Sequence, residues 1–211
     1  MITIEEISEA IQRERKKEVV KLVQQAVDEG MEAQEILQDG LLSGFGVVGE
    51  KFKNGEVFVP EVLVAARAMN AGTALLKPLL ADGAAQTVGK ACIGTVAGDM
   101  HDIGKNLVRM MLEGKGIEVI DLGVDVPAEE FIRCAVENQC DIICCSALLT
   151  TTMPKLGEVV ELAKEAGIRE NVKIMVGGAP VNQTYCDSIG ADIYTDDAAS
   201  AAEAAYQVLT A

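Results

Sequence analysis

The sequence predicts an α/β protein in which an N-terminal four-helix bundle precedes a five-stranded parallel sheet of Rossmann-like, flavodoxin type. Three observations carry that prediction. Apolar residues recur at helical spacing as far as about residue 82. Short β-branched runs alternate with helical stretches from residue 90 onward. Between the two lies a glycine-bearing stretch with no apolar period. The implied organisation is a bundle over 1–82, a linker over 83–89 and an α/β domain over 90–211.

In the first half, Thr3 and Glu6 have the spacing of a capping box. Ile7, Ile11, Val19, Val20, Val23 and Val27 then repeat at helical intervals, and Gly30 offers a stop. A break near Arg13 divides this run into two helices. A further helical pattern covers Glu32 to about Phe52, and another begins near Pro60, where proline suits a first turn, and runs through Ala81. Short connections between such helices favour an antiparallel bundle.

In the second half, the strand candidates are 91–97, 116–123, 141–147, 172–178 and 191–195, with helices starting near Ile103, Ala128, Pro154, Val181 and Asp197. Alternation of this kind implies parallel strands. Ligands of such sheets lie outside the carboxyl ends of the strands where the strand order reverses, between the first and third strands in a flavodoxin-like order.

Composition narrows the function. The chain has 211 residues, 49% of them hydrophobic and only 3% aromatic, so its cores are built from aliphatic side chains and Met. A net charge of -15 argues against phosphate backbones and anionic membranes as partners. The first residues, MITIEEISEA, show no secretory pattern, and no run reaches the roughly 18 apolar residues of a membrane helix, so a cytoplasmic location is expected. The six cysteines form no C-x-x-C pair and sit mostly in apolar surroundings, where they read as small hydrophobes of a reducing compartment.

Three groups fall at the predicted carboxyl ends: Gly98-Asp99-Met100-His101-Asp102-Ile103-Gly104, then Ser146-Ala147-Leu148-Leu149-Thr150-Thr151-Thr152, then Gly177-Gly178-Ala179. Each has a bland explanation. A lone loop histidine is usually structural. Gly-Gly after a strand is often a turn. A Ser/Thr cluster commonly caps the next helix, as Asp99 or Asp102 could cap the helix from Ile103. What these explanations do not account for is that all three groups lie on one rim of one sheet.

Asp99-x-His101-x-x-Gly104, Ser146-x-Leu148 and Gly177-Gly178 together resemble the signature of the cobalamin-binding domain family, with 41 residues between Gly104 and Ser146 and 28 between Leu148 and Gly177. The resemblance implies a corrinoid cofactor, with His101 as the lower axial ligand to cobalt, a metal that imidazole suits. It implies that Gly104, Gly177 and Gly178 lack side chains where the displaced nucleotide tail passes, and that Ser146 bonds that tail or its base. Asp102, Ile103, Leu148 and Thr150 complete the set implied to contact the cofactor. Asp99 is the implied partner that fixes the His101 tautomer, and Thr152 the hydroxyl that bonds Asp99, where many family members carry serine.

The stretch 48–62 is similar to the helical cap of methionine synthase and of methyltransferase corrinoid proteins, which implies that Phe52, Val59 and Val62 cover the upper face of the corrin. Over most of its length the chain is most similar to the stand-alone corrinoid proteins of anaerobic methyltransferase systems. A methyl-shuttle subunit, not catalytic alone, is therefore expected, in which Co(I) accepts a methyl group and methyl-Co(III) delivers it. The implied partners are a substrate:corrinoid methyltransferase, a second methyltransferase with a folate or thiol acceptor, and a reductive activase. The alternative within the family is a B12-dependent sensor, which needs a basic DNA-binding helix that the sequence does not show. A corrinoid-free receiver or flavodoxin-like domain lacks the clustered acids and phosphoacceptor that a receiver needs.

Overall fold

The computed structural model describes residues 2–80 and 87–211. The helix end expected at Ala81, the bundle boundary at 82 and linker residues 83–86 lie outside the described residues. The chain divides into two compact units, Met1–Thr87 with Gly114–Gly116, and Val88–Glu113 with Ile117–Ala211.

The helical unit contains α1 (Ile4–Gln12), α2 (Lys16–Asp28), α3 (Ala33–Glu35), α4 (Ser43–Lys53) and α5 (Val59–Leu76). The capping box forms as the spacing predicts: the Thr3 hydroxyl accepts the Glu6 N–H at 3.3 Å, and the Glu6 carboxylate accepts the Thr3 N–H at 2.9 Å. The chain turns between α1 and α2 at Glu14, whose φ of 59° ends the helical run next to Arg13. A π-helical segment, Ile36–Leu42, joins α3 to α4, so that three pieces make one continuous rod and the described residues of the unit form four helical rods. Helical periodicity does not distinguish that π segment from α-helix. Gly44 lets α1 approach this rod closely, since a Cβ there would lie 2.8 Å from the Ser8 carbonyl oxygen.

At the start of α5 the Glu61 carboxylate accepts the Phe58 N–H at 2.6 Å, and Pro60 occupies the first turn. The α-helix stops at Leu76, earlier than the periodicity predicts, and Lys77–Leu79 continues as a 3₁₀ turn. Pro78 has no N–H for the carbonyl four residues back, so the helical ladder cannot pass it. Ile7, Ile11, Val19, Val23, Ile36, Leu41 and Phe45 are buried, which matches the helical spacing of the apolar positions.

The second unit alternates strand and helix: β1 (Lys90–Val96), α6 (Ile103–Gly114), β2 (Glu118–Val126), α7 (Ala128–Asn138), β3 (Ile142–Ser146), α8 (Pro154–Glu165), β4 (Lys173–Gly177), α9 (Gln183–Ile189), β5 (Ile193–Tyr194) and α10 (Ala198–Thr210). The strands are parallel in the order β2-β1-β3-β4-β5, the flavodoxin-type order predicted above. From Ala91 to Val96 every residue of β1 is buried, as are the first four of β3, because helices cover both faces of a parallel sheet.

The register places Thr95 beside Ser146 and Ser146 beside Gly177, one row across the carboxyl end of the three central strands. The order reverses between β1 and β3, so the crevice above this row is the expected ligand position. Among the described residues, no helix is long and apolar enough to cross a membrane.

Candidate functional site

Asp99 is the hub of the loop after β1, and its carboxylate is fully buried. Oδ1 lies 2.6 Å from Nδ1 of His101 and accepts the His101 backbone N–H at 3.1 Å. Oδ2 accepts the Leu148 N–H at 2.7 Å and, more weakly, the Leu149 N–H at 3.4 Å. The Thr152 hydroxyl stands 2.8 Å from Oδ2 and 3.0 Å from the Leu149 carbonyl, so its one proton is shared between two acceptors. Residues 49 to 53 positions apart in sequence thus meet on one carboxylate.

Burial by itself pushes the Asp99 carboxyl up. The Leu148 N–H, the His101 ring and N–H, and the Thr152 hydroxyl outweigh that and hold it well below the ordinary carboxylate range. An ionised acceptor at this distance places the imidazole proton on Nδ1 and leaves the Nε2 lone pair to face outward. The imidazole is half-exposed, and Nε2 makes no hydrogen bond to the described residues. Its backbone is held as well, because the Thr95 hydroxyl donates to the His101 carbonyl at 2.7 Å.

The loop is anchored on both sides. The Asp99 carbonyl accepts the Asp125 N–H at 3.0 Å, and Asp125 Oδ1 accepts the Gly98 N–H at 2.7 Å. Where α6 begins, the buried Lys105 donates to Asp121 Oδ1 at 2.6 Å, and Arg109 lies 3.1 Å from Asp121 Oδ2. Burial acts to raise the Asp121 carboxyl, but Lys105, the Gly123 N–H and Arg109 win and lower it. This ion pair fixes the first turn of α6 against β2, one residue beyond Gly104.

Thr152 does not cap α8: the N-cap position is Met153, which makes no side-chain capping bond, and Thr152 turns to Asp99 instead. Asp102 is exposed and its carboxylate accepts from Asn106 at 3.1 Å. The Ser146 hydroxyl is partly buried and makes no hydrogen bond to the described residues.

At Gly104 and Gly177 an added Cβ would meet nothing within 4 Å, so the protein's own packing does not require glycine there. Gly178 differs. Its φ is 126°, and a Cβ would lie 1.9 Å from the Ala147 carbonyl oxygen, so a backbone crossing demands glycine. Thr150, like Ile103 and Leu148, is exposed, whereas Phe52, Val59 and Val62 belong to α4 and α5 of the helical unit. Val62 is buried, and Phe52 and Val59 are partly exposed.

Several contributors are not singled out by motif. Met100 and Leu149 join Ile103 and Leu148 as exposed apolar side chains flanking His101, with Met100 at 68% and Ile103 at 72% exposure. Thr95 and Asp125 hold the loop itself. The signal for Thr95 was a polar residue inside an otherwise apolar strand. For Asp125, whose backbone has a positive φ, no local signal exists.

Residues 89–206 match the family described as B12 binding domain, and residues 3–77 match a second family of the same description. The chain is 44% identical to dimethylamine corrinoid protein 1 of Methanosarcina acetivorans over 98% of its own length and 97% of that protein's. It is 43% identical to a corrinoid protein of Desulfitobacterium hafniense over 99% and 98%. Among solved structures, the methanol:cobalamin methyltransferase complex MtaBC of Methanosarcina barkeri superposes with a TM-score of 0.89 at 34% identity, covering 98% of this chain and 79% of that one. A cobalamin-binding protein of D. hafniense superposes with a TM-score of 0.80 at 31% identity over 98% of both.

The chain therefore belongs to the B12-binding family of corrinoid proteins, and its cofactor is cobalamin or a related corrinoid. The residues present fit that cofactor. An imidazole whose outer nitrogen has no partner among the described residues suits cobalt, four exposed apolar side chains suit a macrocycle, and the Ser146 hydroxyl beside the open position at Gly177 suits a polar tail.

Proposed function

We propose that this chain is the methyl-carrying subunit of a corrinoid-dependent methyltransferase system. In this reading it receives a methyl group from a substrate-specific methyltransferase and delivers it to a second methyltransferase whose acceptor is a folate or a thiol. A reductive activase returns the protein to its methyl-accepting form, and the system works in the cytoplasm. The bound corrinoid supplies a cobalt centre that takes up and releases the methyl group. The observation that carries the reading is the buried Asp99 hub, which presents His101 Nε2 outward beside an apolar rim. The similarity to methylamine corrinoid proteins along nearly the whole chain supports the carrier role.

His101 holds the metal, Gly104, Ser146 and Gly177 receive the nucleotide tail, and Asp102, Ile103, Leu148 and Thr150 line the cofactor. Gly178 shapes the strand end beside them. The Asp99 carboxylate, 2.6 Å from Nδ1, would hold the ring proton on that nitrogen and keep Nε2 available to the metal, and Thr152 steadies the carboxylate. The domain limits follow the bundle over 1–82, the linker over 83–89 and the cofactor domain over 90–211. In this reading the bundle is a cap that would keep water from the bound corrin through Phe52 and Val59, which are partly exposed, while Val62, assigned with them, is fully buried and belongs to the bundle core.

Reconstitution with cobalamin tests the ligand: His101→Gly abolishes the histidine-ligated absorption spectrum, and an unchanged spectrum overturns the assignment. The carrier role is tested by mixing the reduced, corrinoid-loaded protein with a methylamine or methanol methyltransferase and isotope-labelled substrate. Label transfer to the protein is expected, and its absence with every such enzyme overturns the shuttle.

A further inference from the structure

We propose that Cys92, Cys134 and Cys140 form a binding site for a soft, thiophilic metal ion of the Zn2+, Cd2+ or Cu+ class, at the end of the sheet opposite His101. Their sulfur atoms all lie within 4.8 Å of one another, although no two of the residues have metal-ligand spacing in sequence. The fold gathers them. Cys92 is the third residue of β1, Cys134 faces the sheet from α7, and Cys140 lies in the turn that leads into β3. That turn is tight: Gln139 adopts φ 54°, and the Cys140 N–H returns to the Ala135 carbonyl at 2.9 Å, which folds Cys140 back over the end of α7.

The distances suit a thiolate site. Metal–sulfur bonds of about 2.3 Å in a trigonal plane place the sulfurs about 4.0 Å apart, a contraction that side-chain rotation supplies. The thiols are weakly engaged at present. Cys92 Sγ lies 3.9 Å from the Phe131 carbonyl, and Cys140 Sγ lies 3.9 Å from the Cys134 carbonyl. Asn138 Nδ2 approaches Cys134 Sγ at 3.6 Å, but burial and the neighbouring Cys140 outweigh it and push the Cys134 thiol up, so a metal must displace the proton. Phe131, Ala135 and Ile143 belong to the same buried core, and among the described residues no carboxylate joins the three sulfurs, although Asp141 and Lys90 lie within charge range of Cys140; such a donor set suits a soft ion better than Mg2+ or Ca2+.

Cys92 is fully buried, while Cys134 and Cys140 keep slight exposure and mark the side from which an ion arrives. Binding forms three metal–sulfur bonds and releases the thiol protons to solvent, with no change of oxidation state.

The test uses the intact, corrinoid-loaded protein, dialysed against Cd2+ and then against metal-free buffer. Elemental analysis counts cadmium and cobalt separately, and X-ray absorption reads the cadmium ligands. One cadmium per chain with an all-sulfur shell is expected, lost in Cys134→Ala and in Cys140→Ala while cobalt is retained, and kept in Cys186→Ala. No retained cadmium, a shell of oxygen or nitrogen, or retention unchanged in both variants overturns the site. The wild-type ligand shell decides the matter alone if a variant also loses its cobalt.

Discussion

The two ends of the parallel sheet are built from the same strands and finished in opposite ways. At the carboxyl end the chain leaves groups unsatisfied by its own atoms: the His101 outer nitrogen, the Ser146 hydroxyl, open space at Gly104 and Gly177, and exposed Met100, Ile103, Leu148 and Leu149. At the amino end Cys92, Ile142 and Val172 are buried, and of the three clustered sulfurs only those of Cys134 and Cys140 belong to residues with slight exposure. A ligand site shows itself by what folding leaves incomplete. A residue can be on the carboxyl rim for the fold or for the ligand, and the two kinds are separable by experiment.

Asp99 serves the fold first. Replacing it with Ala strands the donors that converge on it and lowers the unfolding free energy of the cofactor-free protein by about 3–5 kcal/mol, measured by urea titration. Its carboxyl is held below the unfolded value, so its contribution is full above about pH 5 and is lost as pH falls. Asp99→Asn accordingly flattens the acid limb of the stability profile, and an unaltered limb would show that the hub carries no charge-dependent stability.

The neighbouring glycines split the comparison most cleanly. Gly178→Ala meets the Ala147 carbonyl in a disfavoured backbone region and costs about 3 kcal/mol with or without cofactor. Gly177→Ala changes cofactor-free stability by less than about 1 kcal/mol, since a Cβ there meets nothing, and under the proposed reading it weakens corrinoid retention. Equal behaviour of the two variants would break the distinction.

Smaller effects sharpen it. Thr152→Val removes a hydrogen bond to a buried carboxylate and costs about 1–2 kcal/mol, while Thr152→Ser keeps most of the loss from appearing. Ser146→Ala leaves thermal unfolding of the cofactor-free protein within about 0.5 kcal/mol of the parent, since its hydroxyl has no partner to lose. Corrinoid affinity, followed by equilibrium dialysis, falls in that variant.

What was legible in the sequence follows the range of the interactions involved. Strand positions such as Lys90–Val96 and helix starts at Ile103, Ala128 and Pro154 depend on local apolar runs and proline, and they agree with periodicity to within a residue or two. The π-helical Ile36–Leu42 and the early end of α5 depend on packing and on a single missing N–H, which periodicity does not weigh. Within the site, Asp99 and His101 were readable because their spacing belongs to a motif, and Thr152 only through the family resemblance, whose implied bond to Asp99 is present. The Leu148 amide on Asp99 was not, because it belongs to the backbone and leaves no mark in residue type. The cysteine triangle was illegible for a related reason: three strands of reasoning about spacing see separate apolar thiols, and only the turn at Gln139 brings them together.

The Thr95 hydroxyl on the His101 carbonyl has one more consequence. With the carbonyl held by Thr95 and the amide and ring both held by Asp99, the imidazole has lost its rotational freedom before any metal arrives. If His101 binds the metal, as proposed, little conformational entropy would be lost at this residue on capture of the cofactor, because its ordering is set when the chain folds.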